Sequence, residues 1–403
     1  MNSQTVVYGA PRMRMSLMFV ACTGLFVYGI LVAFLGAVVP GLCARLSLGP
    51  DRAGLLFSVL YLPQVVAVFA AGPVIDRYGV KPAICTGAVL CGAGFAGTGL
   101  AGSYLPLAIA TLVLGVGGSL VSIASNTLVA DLHPENPASG LNVGHAFFGL
   151  GAAFFPTAVA VSESQLGLGP AIGVTVLLTG GMATFALSCD YPNRQAAGEI
   201  NWRVVRGVIS HPAVTILCAV ALLTTGLAVS IGGWLRFYLE LQFSASGRTS
   251  GLLLTLFWSL TVIARLLSGR VLKVLRGPPL VLGCSLGTFL GLMLLTMASG
   301  RRMAVAGVIV CGLSYGPIYP TTLASAGTHF RKFFATVLGC IQGAGLLGGM
   351  VLPPVVGWVA STASIRVGLW VLVAAAILLT AFQATFVGYD LRTQRPEEHR
   401  SRP

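Results

Sequence analysis

Charge is what this sequence lacks most. Only 9% of its 403 residues are Asp, Glu, Lys or Arg, against 56% that are hydrophobic, whereas a soluble domain carries roughly a quarter charged residues. That scarcity, with a mean hydropathy of +0.88, excludes a water-soluble globule. Acidic residues number only eleven, and each falls in a loop, a tail or the end of an apolar run, as Asp51, Glu163, Glu240 and Asp390 do. No H-x-x-x-H pair, Walker loop or serine elbow occurs, so neither hydrolytic catalysis nor nucleotide-driven pumping has a footing. The chain is not expected to be an enzyme, and no cofactor or metal centre is expected. The nine cysteines have no C-x-x-C spacing and sit mostly inside apolar runs, like Cys22, Cys91 and Cys311. They read as small hydrophobes, not as a disulfide frame or a zinc site.

What is present is apolar length, repeated. Runs of about 20 apolar residues, each enough for a helix to cross a ~30 Å hydrocarbon core, recur along the whole chain. Twelve spans can be drawn, at 15–44, 52–76, 81–101, 104–131, 138–163, 169–190, 213–242, 247–271, 277–298, 302–329, 332–360 and 363–390. The first follows Arg12 and Arg14 with no small-residue cleavage pattern, so it is expected to be a membrane helix and not a removed leader. Glycine, at 52 residues, suits helices that pack closely in lipid. One long polar interval, Tyr191–Pro212, holds Arg194, Glu199, Arg203 and Arg206. It predicts a cytoplasmic linker at 191–212 between six-helix bundles at 1–190 and 213–390, with a cytoplasmic tail at 391–403.

The net charge of +13 invites a nucleic-acid reading, but the basic residues sit at loop positions and form no single stripe. No nucleic-acid partner is expected; the lipid bilayer is. With both termini in the cytoplasm, sixteen of the 24 Lys and Arg residues fall on the cytoplasmic side and six on the other, while Arg236 and Arg265 lie within spans. This is the positive-inside bias. It predicts a multi-pass protein of the cell inner membrane with both termini cytoplasmic.

Between spans two and three stand Gly72, Asp76, Arg77, Gly79 and Lys81, in the pattern G-x-x-x-D-R-x-G-x-K. Glycines suit the corners of a tight turn, and Asp76 can offset a helix end or meet a cation. The pattern resembles the loop signature of the major facilitator superfamily. A degenerate echo, Gly269 to Gly277, follows span eight at the equivalent place in the second half. The resemblance implies an all-α membrane protein with twelve transmembrane helices in two pseudo-symmetric six-helix bundles. It also implies transport by rocking around a midplane site, with those five residues in a gating role.

A narrower likeness is carried by Asn126-Thr127-Leu128, Pro134-Glu135, the run Leu141-Asn142-Val143-Gly144-His145-Ala146-Phe147, Pro317-Ile318-Tyr319-Pro320-Thr321, and Gly348-Gly349 ahead of Pro353. These segments are similar to the fucose/glucose/galactose–proton symporter family. Its proton-coupled members place an aspartate in span one and a glutamate in span four; here the matching positions hold Gly36 and Ser122. Both carboxylates of that mechanism are missing. The expectation is therefore facilitated diffusion, or coupling through His145, since histidine's reference pKa is about 6.5.

Polar side chains inside spans default to functional candidates. Gln64 in span two, Asn126 in span four, Asn142 and His145 in span five, and Gln342 in span eleven are the candidates for binding solute hydroxyls. The competing role for each is a helix–helix hydrogen bond that only holds the bundle together. Trp258 in span eight, with Tyr315 and Tyr319 in span ten, is suited to stacking on the apolar face of a sugar; Trp234 is a further aromatic of that kind. Arg265 either snorkels to the interface or attracts an anion. Arg236 and Glu240, four apart on one helix, are expected to pair. The substrate expected is a small polar solute, a neutral sugar or a solute of polyol size, carried by a monomeric symporter or uniporter. The alternative is an organic-anion or drug exporter of the same superfamily.

Overall fold

The computed structural model describes residues 11–133, 137–191, 207, 210–330 and 334–400. Among them the ordered elements are thirteen helices. The first six are α1 (Pro11–Leu46), α2 (Pro50–Tyr78), α3 (Val80–Leu100), α4 (Tyr104–Leu132), α5 (Pro137–Leu166) and α6 (Gly169–Ser188). There follow α7 (Pro212–Phe243), α8 (Gly247–Val271), α9 (Gly277–Thr296), α10 (Arg301–Tyr315), α11 (Ile318–His329), α12 (Phe334–Thr362) and α13 (Ile365–Arg400). Twelve stretches of these helices are long and apolar enough to cross a membrane. The tenth, Arg301–Ala326, is built from both α10 and α11.

Helix starts follow from proline chemistry. Proline has no N–H and a fixed φ, so it fits the first turn, where that donor would be unpaired anyway. α2, α6 and α9 all begin with proline in this position. The same chemistry divides the tenth span: Gly316 and Pro317 form a turn between α10 and α11, because proline cannot extend the hydrogen-bond ladder.

The helices divide into two compact units. One is α1–α6 with residues Leu235–Thr255; the other is α7 up to Trp234, α8 from Leu256, and α9–α13. In the first unit α1 is central. Phe34 meets Phe95 of α3 and Phe155 of α5, each at a ring-centroid distance of 5.0 Å. α1 and α5 approach backbone to backbone, so a Cβ added at Gly29 would lie 1.9 Å from the Phe148 carbonyl oxygen. The second unit repeats the device between α7 and α12, where a Cβ at Gly348 would lie 1.8 Å from the Leu222 oxygen. Its core joins Ala213, Val214, Leu217 and Ala221 of α7 to Val337 and Ile341 of α12 and Phe386 of α13.

Long arginines close helix ends that would otherwise leave carbonyls unpaired. Arg45 donates to Thr98 O, Gly99 O and Ala101 O at the end of α3. In the second unit Arg366 donates to Ala298 O just beyond α9 at 2.8 Å.

Candidate functional site

In the first unit, three of the expected polar residues can be placed. Gln64 on α2 is 3% exposed. Its Oε1 accepts from the Tyr28 hydroxyl at 2.7 Å, and its Nε2 donates to Leu60 O at 3.1 Å. The Tyr28 ring lies 5.8 Å from that of Phe148, which in turn sits 6.2 Å from the ring of His145. Gln64 and His145 are thus linked through Tyr28 and Phe148 across α2, α1 and α5. His145 itself is exposed. Asn126 on α4 donates from Nδ2 to Ser122 O at 2.9 Å, while its Oδ1 is buried and has no partner among the described residues. The Asn142 side chain lies outside the described residues.

The second unit gathers aromatics. Trp258 on α8 is 4% exposed, and its indole N–H has no hydrogen-bond partner among the described residues. The ring occupies space that only a glycine leaves open, since a Cβ at Gly232 on α7 would stand 2.8 Å from Trp258 Cζ2. Phe257 touches both Trp258, at 5.2 Å between centroids, and Tyr315, at 6.4 Å. The Tyr315 hydroxyl is spent on Thr224 O at 3.0 Å. Tyr319 on α11 packs, partly buried, against the α7–α12 core, and Gln342 stands exposed on α12. Arg265 is half-buried and directs Nε toward Gly316 O at 3.5 Å, the carbonyl at the break between α10 and α11.

The G-x-x-x-D-R-x-G-x-K motif ends in the α2–α3 turn. Gly79 has φ +84°, a conformation that costs glycine nothing and strains any residue with a Cβ. Its N–H closes α2 on Ile75 O at 2.8 Å. Arg77 is exposed and lies 5.4 Å from the Tyr78 ring. Lys81 donates to Cys189 O at 2.8 Å and faces the Tyr191 ring at 5.7 Å. Burial pushes the Tyr191 phenol up, with Cys85 and Cys189 adding to the shift. Burial also raises the Cys189 thiol, opposed by Lys81. The side-chain surroundings of Gly72 and Asp76 lie outside the described residues.

Sequence reasoning missed a partner of Arg236. The expected pair is present, with Arg236 Nε donating to Glu240 Oε1 at 2.7 Å. The guanidinium also binds the Glu163 carboxylate of α5 and the Ala37 carbonyl of α1, and its side chain is 1% exposed. Ser250 Oγ donates to Glu240 Oε1 at 2.5 Å. A charge in an apolar run demands a counter-charge, which was the available hint; no local spacing points to Glu163. Among the described residues no group of three or more His, Cys, Asp or Glu is placed to hold a metal ion.

These units of long apolar helices, each with neutral polar and aromatic side chains in its interior, define a multi-pass membrane protein. Residues 21–332 and 238–403 match the sequence profile of the Major Facilitator Superfamily, and the chain belongs to that superfamily. The relatives found by profile and by structure are transporters. Among curated proteins, solute carrier family 2, facilitated glucose transporter member 12, from Homo sapiens and from Macaca fascicularis, is 29% identical over 114 residues. That match covers 27% of this chain and only 18% of the relative's length. A solved structure of the nucleoside transporter NupG superposes with a TM-score of 0.78 at 11% identity, covering 93% of this chain and 99% of that one. The major facilitator transporter FucP in its outward conformation gives 0.66 at 15% identity, again covering 93% and 99%. The E. coli fucose:proton symporter FucP gives 0.64 at 15% identity, covering 92% and 98%. At such identities the likeness is one of fold.

Proposed function

We propose that this chain carries a small neutral hydroxylated solute, a sugar or a sugar-bearing molecule, across the cell inner membrane by alternating access. The observation behind it is two buried neutral polar atoms, one in each unit, that have no hydrogen-bond partner among the described residues: the acceptor Asn126 Oδ1 and the donor Trp258 Nε1. Leaving a buried polar group unsatisfied costs about 1–3 kcal/mol. A solute hydroxyl is both donor and acceptor, so it can relieve either one. Gln64, Asn142, His145 and Gln342 would add hydrogen bonds of the same neutral kind, and Trp258, Tyr315 and Tyr319 an aromatic surface for the apolar side of the solute. An anionic cargo fits less well, because Arg236 is already matched by two carboxylates and Arg265 is turned to a backbone carbonyl. In the same proposal Gly72, Asp76, Arg77, Gly79 and Lys81 gate the path, both termini are cytoplasmic, and the transporter acts as a monomer. Transport of glucose, fucose and nucleosides, named for the relatives, makes hexoses, deoxyhexoses and nucleosides the first panel to try. Ligand binding raises apparent stability by mass action, so thermal unfolding of purified protein against that panel and against organic anions tests the proposal. A sugar-bearing compound should raise the midpoint; stabilisation by anions alone would overturn it.

A further inference from the structure

The turn between α8 and α9, the second-half echo of the gating motif, has no part in the transport scheme above. Residues 269–276 are exposed without interruption. Val274 keeps 94% of its surface, and Val271, Leu272 and Leu275 keep 41%, 39% and 41%. Apart from Val271, these apolar side chains lie between two spans and not on the lipid-facing flank of one.

The turn is nevertheless well built. Leu272 N–H bonds to Ser268 O at 2.9 Å, Val274 N–H to Val271 O at 3.0 Å, and Leu275 N–H to Val271 O at 2.8 Å. Its far end is fixed by the ion pair of Arg276 with Asp390 of α13, a carboxylate 3% exposed. Arg270 and Lys273 flank the apolar residues, and among the described residues neither has an ion-pair partner. The sequence holds no acidic residue between Glu240 and Asp390, and Asp390 is taken by Arg276. The first-half motif differs here, since its Lys81 is bound to Cys189 O at 2.8 Å.

A rigid turn at a span end, apolar at its tip and cationic at its sides, complements a leaflet boundary. Its apolar groups suit the acyl edge and its cations the phosphates just above it. We propose that the 269–276 turn is a docking surface for anionic phospholipid. Val271, Leu272, Val274 and Leu275 enter the acyl boundary, and Arg270 and Lys273 engage the headgroup phosphate. The proposal rests on the chain's place in a membrane and not on which solute it carries, so failure of the sugar assignment leaves it standing.

The test uses the full chain in vesicles of phosphatidylcholine alone or of phosphatidylcholine mixed with phosphatidylglycerol. Native mass spectrometry of protein extracted from the mixture should show phosphatidylglycerol retained in preference. The double variant Arg270→Gln, Lys273→Gln should lose that preference several-fold, while Arg301→Gln, Arg302→Gln, an exposed pair at the start of α10, should keep it. Equal retention by wild type and the Arg270/Lys273 variant would overturn the proposal. Should that variant not fold, an environment-sensitive noncanonical residue at position 274 gives a second readout. Its emission should shift to the blue in phosphatidylglycerol-containing vesicles relative to detergent. No shift would overturn the proposal, and a shift that instead follows protein concentration in detergent would replace lipid by a second copy of the chain.

Discussion

Arg236 of α7 and Glu163 of α5 form an ion pair across 73 positions of sequence, with the arginine side chain 1% exposed. Glu240, one helical turn on, takes Nε of the same guanidinium. Removing one partner of a buried ion pair leaves a charge uncompensated in a medium that solvates it poorly. Arg236→Met should therefore destabilise the protein by about 3 kcal/mol, the low end of the range for buried pairs, because Glu163 and Glu240 remain 22% and 24% exposed. Thermal unfolding in detergent reads this directly. A variant as stable as wild type would show that the cluster is not structural.

The backbone contacts give a sharper steric expectation. Gly348→Ala drives a methyl group into the Leu222 carbonyl and Gly29→Ala into that of Phe148. Overpacking of this kind costs about 1–3 kcal/mol. Gly173, whose Cβ would meet nothing within 4 Å, is the control and should tolerate alanine. Folded yield by fluorescence size-exclusion separates the three, and equal yields would contradict the close approach.

At the solute, Asn126→Ala, His145→Ala and Gln342→Ala should each weaken binding by about 0.5–1.5 kcal/mol, the value of one neutral hydrogen bond. Calorimetry with the stabilising compound would measure it. Normal binding in all three variants would remove them from the binding set.

The first-half turn gives a kinetic prediction. Lys81→Met loses the bond to Cys189 O, and Asp76→Asn loses the charge that the loop signature supplies. Both variants should insert and fold normally yet transport more slowly. Wild-type initial rates in proteoliposomes would rule out gating by this turn.

Coupling is testable with the same vesicles. Gly36 and Ser122 stand where the resemblance to the proton symporters implies carboxylates, which leaves His145, exposed on α5, as the titratable group of the polar set in the first unit. An imposed pH gradient should drive no concentrative uptake in a His145→Gln variant. Strong proton-driven accumulation in that variant would require another carrier.

How much of this was legible depends on how local each signal is. Every span carries its own evidence, a run of apolar residues with proline or glycine near its start, so twelve spans could be drawn and the fold recognised. The break of the tenth span at Gly316 and Pro317 is written in plain residues too, but inside a continuous apolar run a Gly-Pro pair does not by itself distinguish a stop from a kinked span. Arg236 with Glu240 was legible because four residues make one helical turn. Glu163 was not, since its contact depends on how α5 meets residues 235–255. Gln64 stood out as an amide in an apolar run, whereas Tyr28, its partner, is an ordinary amphipathic residue there. Trp258 could be singled out by type; Gly232, which makes room for it, is one of 52 glycines and carries no mark of its own.

Where α1 meets α5, and α7 meets α12, main chain faces main chain with no side chain to adjust between them. Such seams are closed to variation: any residue larger than hydrogen at Gly29 or Gly348 collides with a carbonyl, and no compensating change in a neighbour can move that oxygen aside. A lineage built on this scaffold is therefore free to diversify only away from these seams, as at Gln64 on α2, Asn126 on α4 and Trp258 on α8. Preservation of the frame and variation of the interior polar and aromatic positions thereby fall to separate sets of residues, and the second can drift without endangering the first.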